Sequence, residues 1–484
     1  MPDVYQNKKK ILSGYSRVLL IMMSIIINSV LILSVSAIKN YNFSEWIGIF
    51  FALSIAQTIF NIYVVIKLGE NFLSLSVLFL FFSYVFHFGY IPLLALSFEE
   101  LMLINVLGNV PRSIFMEACY YAFLVQSFVA FGMIIVLSRP IKIKKSFDLL
   151  DGHNESIELK KINLIGKILF LIGLVPTIYI DAKRLLLFFT QGYLATYTLN
   201  LSGFIYTIAM MSEIGILMLI ISNKNNKRKA RWIFTLTLAY LSISMLSGNR
   251  GRPIVFILTM IFVYFNFIES IGLRKIFKYS IFGYLGVVFL NTMTNLRQLS
   301  NPSVSRFIEI FIESMFGSVF LKTLGEFGGT IITLCYSIMY FPSYAPFQYG
   351  KNYIFSLFNI FPNLGGILNE GLRISTYTLM LPSDVRGFLG GSYIGELYYS
   401  FGDWGLVFSI LIGIGVANLS TKIKKSIINK KYITLSVLLT LFPGVLWWVR
   451  GYFSGMVRDF VWISLSIIIL NLYFKRFFRY KGFN

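Results

Sequence analysis

Apolar residues along this chain come in long uncharged runs separated by short polar interruptions, and the runs show no period-two alternation. Twelve stretches stand out, near 18–38, 46–66, 72–96, 118–138, 163–180, 202–222, 232–247, 253–268, 279–293, 403–420, 433–449 and 460–474. A helix needs roughly 17–25 apolar residues to cross about 30 Å of hydrocarbon at about 1.5 Å per residue. In lipid the backbone must satisfy its own hydrogen bonds, which leaves helices or a closed barrel, and a barrel would show alternating segments of about ten residues. The pattern therefore predicts an all-α integral membrane protein of about 12 transmembrane helices. It divides the chain into residues 1–293 with helices one to nine, a large external loop over 294–402 between helices nine and ten, and residues 403–484 with helices ten to twelve and a cytoplasmic tail.

Composition agrees, since 56% hydrophobic and 13% charged residues fall outside the norms of soluble domains. Lys8, Lys9 and Lys10 precede a first apolar run too long for a signal peptide and without a clear small-residue cleavage site, so the first helix is expected to stay. Basic residues cluster at the N-terminus, over 139–161, over 223–231, around Arg274, Lys275 and Lys278, over 421–431 and from Lys475 onward. Each cluster is separated from the next by an even number of expected helices, and basic loops are retained inside, so both termini are expected in the cytoplasm. On that topology the inner side carries 29 Lys and Arg against seven acids and the remainder 14 against 14, which puts the whole +22 charge inside. Topology and attraction to anionic membrane lipids account for this asymmetry, and no nucleic acid is implied.

The kind of basic residue changes with the side. The inner set holds 22 Lys and seven Arg, the remainder four Lys and ten Arg. A lysine suffices where a point charge is wanted, whereas the rigid guanidinium fork suits bidentate capture of a phosphate or diphosphate. Two external turns carry the theme. In "LSGNRGRPIVFIL" (246–258) Gly248 and Gly251 permit close backbone approach, Pro253 suits a first helical turn, and Arg250 and Arg252 stand at a helix N-terminus that already favours anions. In "WWVRGYFSGMVRD" (447–459) Arg450 and Arg458 flank glycines beside Trp447, Trp448, Tyr452 and Phe453. Snorkelling to the interface, ion pairing and ordinary interfacial anchoring are the structural readings of the same residues.

The stretch 294–402 is too long for a connector. "SRFIEIFIESMFGSVFLKTL" (305–324) has apolar residues at helical spacing, suited to lying on the membrane surface or to packing against the bundle. Prolines 342, 346, 362 and 382 and glycine pairs at 328–329, 365–366 and 390–391 break the rest into short pieces. Its end, "LPSDVRGFLGGSYIGELYYSFGDWG" (381–405), carries Asp384, Arg386, Glu396 and Asp403. Glu396 and Asp403 are seven apart and share a face if the segment is helical, with Tyr399 and Ser400 nearby. Glu396 reads either as a base or as the counter-ion of Arg386 or Arg450.

Other chemistry is narrowed by what is missing. His87 falls in helix three and His153 in a cytoplasmic loop, so no external zinc site or Ser-His triad is expected, and Cys119 and Cys335 suggest neither a disulfide nor a thiolate metal site. There is no P-loop, dinucleotide fingerprint or external D-x-D pair, and no cofactor is expected. Glu213 is the one carboxylate deep within an expected span, marking a polar cavity or a proton path.

On "LSGNRGRPI", "GGSYIGELYYSFGDWGLV" (390–407), "VRGYFSGMVRD" (449–459) and the large outer loop late in the chain, the protein resembles the Wzy-type oligosaccharide repeat-unit polymerases of bacterial O-antigen and capsule assembly. The Arg-x15-Gly spacing discussed for some members occurs at Arg386 and Gly402. The resemblance implies a metal-independent, processive glycosyltransferase of GT-C-like fold at the outer face of the inner membrane. Its partners would be undecaprenyl-diphosphate-linked oligosaccharides, with a chain-length regulator protein as a candidate partner. Arg250, Arg252, Arg386, Arg450, Arg458 and Arg297 are then candidates for the substrate diphosphate, Glu396 and Asp403 for the catalytic carboxylate, and Tyr399, Tyr452 and Trp448 for the glycan. A lipid-linked oligosaccharide flippase or other transporter, and an O-antigen ligase, are the alternatives. The first is expected to show two related halves and no long outer loop, the second an external histidine.

Overall fold

The computed structural model of the chain describes residues 14–102, 105–139, 152–192, 195–196, 199, 201–247, 251–270, 273–296, 303–363, 365–386 and 389–480. Among the described residues there is no strand. The first half comprises α1 (Gly14–Ala37), α2 (Phe43–Lys67), α3 (Leu75–Phe88), the short α4 (Ile91–Ala95) and α5 (Val106–Asn109), α6 (Arg112–Leu137), α7 (Gly152–Gln191), α8 (Gly203–Ser222), α9 (Lys227–Met245), α10 (Gly251–Phe267) and α11 (Leu273–Leu296). Between α11 and the last four helices lie α12 (Val304–Met315), α13 (Val319–Gly328), α14 (Ile331–Tyr340), α15 (Lys351–Phe358), α16 (Asn369–Ser375), α17 (Ser383–Arg386) and α18 (Tyr393–Phe401). The chain ends with α19 (Gly405–Ile428), α20 (Tyr432–Leu439), α21 (Leu441–Trp448) and α22 (Phe453–Tyr480).

Among the described residues, seven helical runs are long and apolar enough to cross a membrane: α1, α2, α6, α7, α8, the α18–α19 run and α22. Shorter apolar helices cover Leu75–Phe88, Gly251–Phe267, Gly283–Met293 and Tyr432–Trp448. The protein is therefore a multi-pass helical membrane protein. All twelve apolar stretches of the sequence fall on helix, but two are broken. The stretch 72–96 divides after α3 because α13 crosses there: a Cβ on Gly328 would fall 2.0 Å from the Tyr90 nitrogen, and one on Gly89 2.5 Å from the Leu324 carbonyl oxygen. The stretch 433–449 divides at Thr440, where Pro443 has no N–H to give the Leu439 carbonyl. Helix α7 instead runs well past both ends of 163–180, carrying Pro176 inside it.

Small residues let the long helices pack closely, as is usual between membrane helices. Between α6 and α19, a Cβ on Gly132 would lie 2.2 Å from the Ile410 carbonyl oxygen and one on Gly413 2.0 Å from that of Val129. The long loop is not a free flap. Its α13 packs on α3, α14 on α6 and α18, and α15 on α22. The expected helix over 305–324 divides at Phe316–Ser318. Helix α12 packs on α11 through Phe289 against Phe307 and an Asn291–Ser314 hydrogen bond of 2.9 Å, leaving Val304, Ile308, Ile312 and Phe316 exposed in a stripe four residues apart. This folding back brings α18 into the buried core beside α3 and α21.

Candidate active site

Helix α18 begins at Ser392, whose extended backbone is that of an N-cap and whose Oγ accepts the Gly395 N–H at 3.3 Å. It ends at Gly402, which adopts φ +55, a region open to glycine and strained for other residues. The Gly402 carbonyl accepts the Tyr121 hydroxyl at 2.9 Å, fixing this end to α6. Within α18, Glu396 is fully buried. Its Oε2 accepts the Trp448 indole N–H at 2.7 Å and the Phe453 backbone N–H at 3.3 Å, tying the end of the long loop to α21 and to the start of α22. Neither bond comes from an arginine, and Oε1 makes no well-formed hydrogen bond, with the Asn352 side chain beside the carboxylate.

Oxygen-bearing side chains gather around that carboxylate. Asn352 of α15 accepts the Ser400 hydroxyl at 2.6 Å. Tyr377 stacks on Tyr399 with ring centres 5.8 Å apart and meets Tyr452 edge-on, while Tyr452 shares a hydrogen bond with Thr378. Asn352 stands beside the Glu396 carboxylate and the Tyr353 hydroxyl, and the Tyr377 hydroxyl beside Ser337, each short of a well-formed hydrogen bond, while the Tyr399 hydroxyl is buried without a protein partner. Burial first, then Tyr452 and Glu396, push the Tyr377 hydroxyl well above its ordinary range; burial, then the nearby carboxylate, does the same to Tyr353. The Tyr452 hydroxyl is pushed up to about 12, again chiefly by burial. These phenols therefore stay protonated near neutral pH and remain hydrogen-bond donors. An unsatisfied buried polar group costs about 1–3 kcal/mol, so a cluster of them is where water or substrate hydroxyls are best accommodated.

The three sequence motifs meet here. A Cβ on Gly391 would fall 2.3 Å from the Gly451 carbonyl oxygen, and Gly390 lies against Arg450. Trp447, 38% exposed, is the other bridge. Its ring lies where a Gly251 side chain would begin, 2.4 Å from that Cβ position, and its indole edge covers Gly451. Side chains at these glycines would push the two arginine-bearing turns apart.

Beyond Trp447 lies a charged cluster between α8, α10 and α22. Arg252 Nη2 donates to Asp459 Oδ2 at 3.0 Å and its Nε stands 4.0 Å from Glu213 Oε1. Thr207 donates to the other Asp459 oxygen at 2.8 Å, and Arg458 Nε is 3.8 Å from it. Two arginines thus face two carboxylates, so the Arg252 charge is already largely met within the protein. Glu213, deep in α8, belongs to this cluster.

The remaining candidates are placed as follows. Arg450 lies with its guanidinium 5.6 Å from the Phe86 ring centre, beside Gly390. Arg386 ends α17, exposed, with Nη1 3.4 Å from the Leu379 carbonyl oxygen. Arg250 and Arg297 lie outside the described residues. Glu396 and Asp403 do not share a helical face, because α18 stops at Phe401 and Asp403 sits exposed on the 3-10 turn over 402–404. Tyr399 and Trp448 are core side chains rather than open stacking platforms: Tyr399 packs between Phe341 and Tyr377, and Trp448 packs on Tyr393 and Phe453. Asn352 and Tyr377 went unmarked in the sequence, because nothing local connects α15 or the turn at 377–380 to Glu396. His87, expected within helix three and outside any Ser-His triad, lies on α3 and meets a serine, Ser392, at 2.7 Å. The sequence signal for Ser392 was its place as a cap directly before the apolar "YIGEL" run.

An all-helical multi-pass membrane protein with a buried carboxylate, glycine-packed turns and arginines gathered at one end of the bundle is the class defined so far. The O-antigen polysaccharide polymerase Wzy family matches residues 18–481, nearly the whole chain, and the protein belongs to that family. It is a glycosyltransferase-type polymerase that joins lipid-linked oligosaccharide repeat units into polysaccharide within the membrane. No curated protein and no solved structure matches the chain.

Proposed function

We propose that polymer extension takes place where α18 meets the α21–α22 turn, on the outer side of the inner membrane, with both chain termini in the cytoplasm. The growing glycan on undecaprenyl diphosphate is the donor, and a hydroxyl of an incoming lipid-linked repeat unit is the acceptor. The new bond forms between the acceptor oxygen and the anomeric carbon as the bond from that carbon to the diphosphate breaks. The acceptor proton passes to Glu396, and the diphosphate leaves with its electron pair. Charge grows on the leaving group in the transition state, so fixed arginines there lower the barrier more than they tighten ground-state binding. Arg450, beside Gly390, is the central clamp, with Arg250, Arg386 and Arg297 as the other candidates. Arg252 and Arg458, already facing carboxylates, orient the turns. Tyr452 contacts the glycan, while Tyr399 and Trp448 shape the surroundings of the carboxylate. Asp403, exposed on its turn, positions the acceptor. This transfer needs no metal.

The observation that carries this reading is the convergence of the three motifs: Glu396 bonds to Trp448 and Phe453, and Trp447 spans Gly451 and Gly251. The test is polymer length on a gel for cells carrying Arg450→Lys, Arg450→Ala or Arg250→Lys, with the amount of each protein in the membrane measured in parallel. Lysine keeps the charge but not the fork, so a diphosphate clamp loses about 2–4 kcal/mol of transition-state stabilisation, or about one and a half to three decades in rate. Normal chain lengths from well-expressed Arg450 variants would remove Arg450 from the site.

A further inference from the structure

His87 lies in the middle of an apolar run, yet in the fold its imidazole meets the first turn of the helix that carries Glu396. Nδ1 stands 2.9 Å from the Ser83 carbonyl oxygen. A carbonyl only accepts, so Nδ1 carries the proton and Nε2 is bare, a tautomer assigned from its partners. Nε2 is 2.7 Å from Ser392 Oγ, which must therefore donate. The serine lone pair is then left for the Gly395 N–H, which is the N-cap bond of α18. The same Ser83 carbonyl also receives Gln126 Nε2 at 3.0 Å, and Ser83 Oγ lies 2.7 Å from the Tyr393 hydroxyl. The His87 ring meets Tyr393 edge-on, with ring centres 5.6 Å apart. His87, Ser83, Ser392 and Tyr393 are all buried.

The first turn of α18 is thus clamped by α3, which Gln126 of α6 holds in turn. Glu396 is one helical turn along, its N–H bonded to the Ser392 carbonyl at 2.8 Å. A serine hydroxyl rotates freely unless both of its functions are engaged; here the bare imidazole nitrogen fixes the proton and the cap fixes the lone pair. This is not a nucleophilic pair, because the serine oxygen is committed to the cap and buried.

We propose that His87 is a positioning residue for polymerisation: through the Ser392 hydroxyl it sets the start of α18 and so aims the Glu396 carboxylate at the acceptor hydroxyl. The proposal rests on the reading of Glu396 as the proton acceptor. A cap bond that orients a reacting group acts on the chemical step, since a displacement of about 1 Å costs up to about a hundredfold in rate. Binding of the lipid-linked repeat unit does not use it.

The experiment uses the purified full-length protein and the lipid-linked repeat unit extracted from cells that lack it. His87→Leu and Ser392→Ala should each lower kcat by about ten- to a hundredfold at unchanged KM. The double variant should be no worse than either single, because both break one chain of bonds. His87→Gln, which retains an acceptor for Ser392, and Ser392→Thr, which retains the hydroxyl, should recover part of the loss. Wild-type kcat in His87→Leu and Ser392→Ala, an additive double variant, or a loss carried by KM would each overturn the proposal. Should His87→Leu not accumulate in membranes, the contrast between Ser392→Ala and Ser392→Thr decides. Glu396→Gln run alongside separates the two levels: if it polymerises normally, the role of Glu396 falls and the proposal with it, whereas an inactive Glu396→Gln with fully active His87 and Ser392 variants overturns the positioning role alone.

Discussion

The indole N–H of Trp448 donates to the Glu396 carboxylate at 2.7 Å, joining the end of the long loop to the turn that carries Arg450. A glutamine at 396 still offers a carbonyl oxygen to Trp448 and to the Phe453 N–H, so the junction should survive while the proton acceptor is lost. Glu396→Gln is therefore expected in membranes at the normal amount, with polymerisation reduced by about 10²–10⁴-fold, the usual contribution of a general base. Polymer ladders on a gel against the immunoblotted protein check this. Normal ladders would leave Glu396 as a structural acceptor for Trp448 only.

The contact of Gly391 with Gly451 predicts a sharp difference among motif glycines. A Cβ on Gly391 would fall 2.3 Å from backbone, whereas one on Gly455 meets nothing within 4 Å. Gly391→Ala should force the loop's end away from the α21–α22 turn, at a cost of about 1–3 kcal/mol, and shorten the polymer. Gly455→Ala should leave both stability and chain length unchanged. Thermal midpoints of the detergent-purified variants measure the first effect, and equal midpoints would contradict the packing.

Arg252 is 39% exposed at its side chain and pairs with Asp459 and Glu213, which are less so. Removing it by Arg252→Ala leaves Arg458 alone to face the two carboxylates, and about 2 kcal/mol of stability should go, between the values for exposed and buried pairs. Adding Asp459→Asn should restore part of it, because one orphaned charge is removed. A thermal midpoint lower in the double variant than in Arg252→Ala would show that the pairing of Asp459 with Arg458 and Thr207 outweighs the excess negative charge.

Orientation is testable with little background, since both native cysteines, Cys119 and Cys335, are buried. Ser318, exposed between α12 and α13, and Asn225, exposed between α8 and α9, are suitable labelling positions. In intact spheroplasts an impermeant maleimide should label Ser318→Cys and leave Asn225→Cys unlabelled until the membrane is opened. The reverse pattern would turn the molecule over and place the arginine turns inside.

The helical class and the placing of the apolar stretches were legible in the sequence, because the energetics of a spanning segment are local: each run must bury its own backbone and present apolar side chains to lipid. The three motifs were legible for a similar reason, since glycine beside arginine is unusual in so apolar a chain. Their roles within the site were not. Whether Arg252 waits for a ligand or holds Asp459, and whether Trp448 faces a sugar or caps Glu396, depends on partners 207 and 52 residues away. The seven-residue spacing of Glu396 and Asp403 promised a shared face, and Gly402 ended the helix between them. Local pattern determined that the chain crosses the membrane as helices and where its unusual residues lie. Only the tertiary structure decided which of them meet, because a side chain 305 residues distant, as His87 is from Ser392, enters a site through packing and leaves no periodic trace in the sequence.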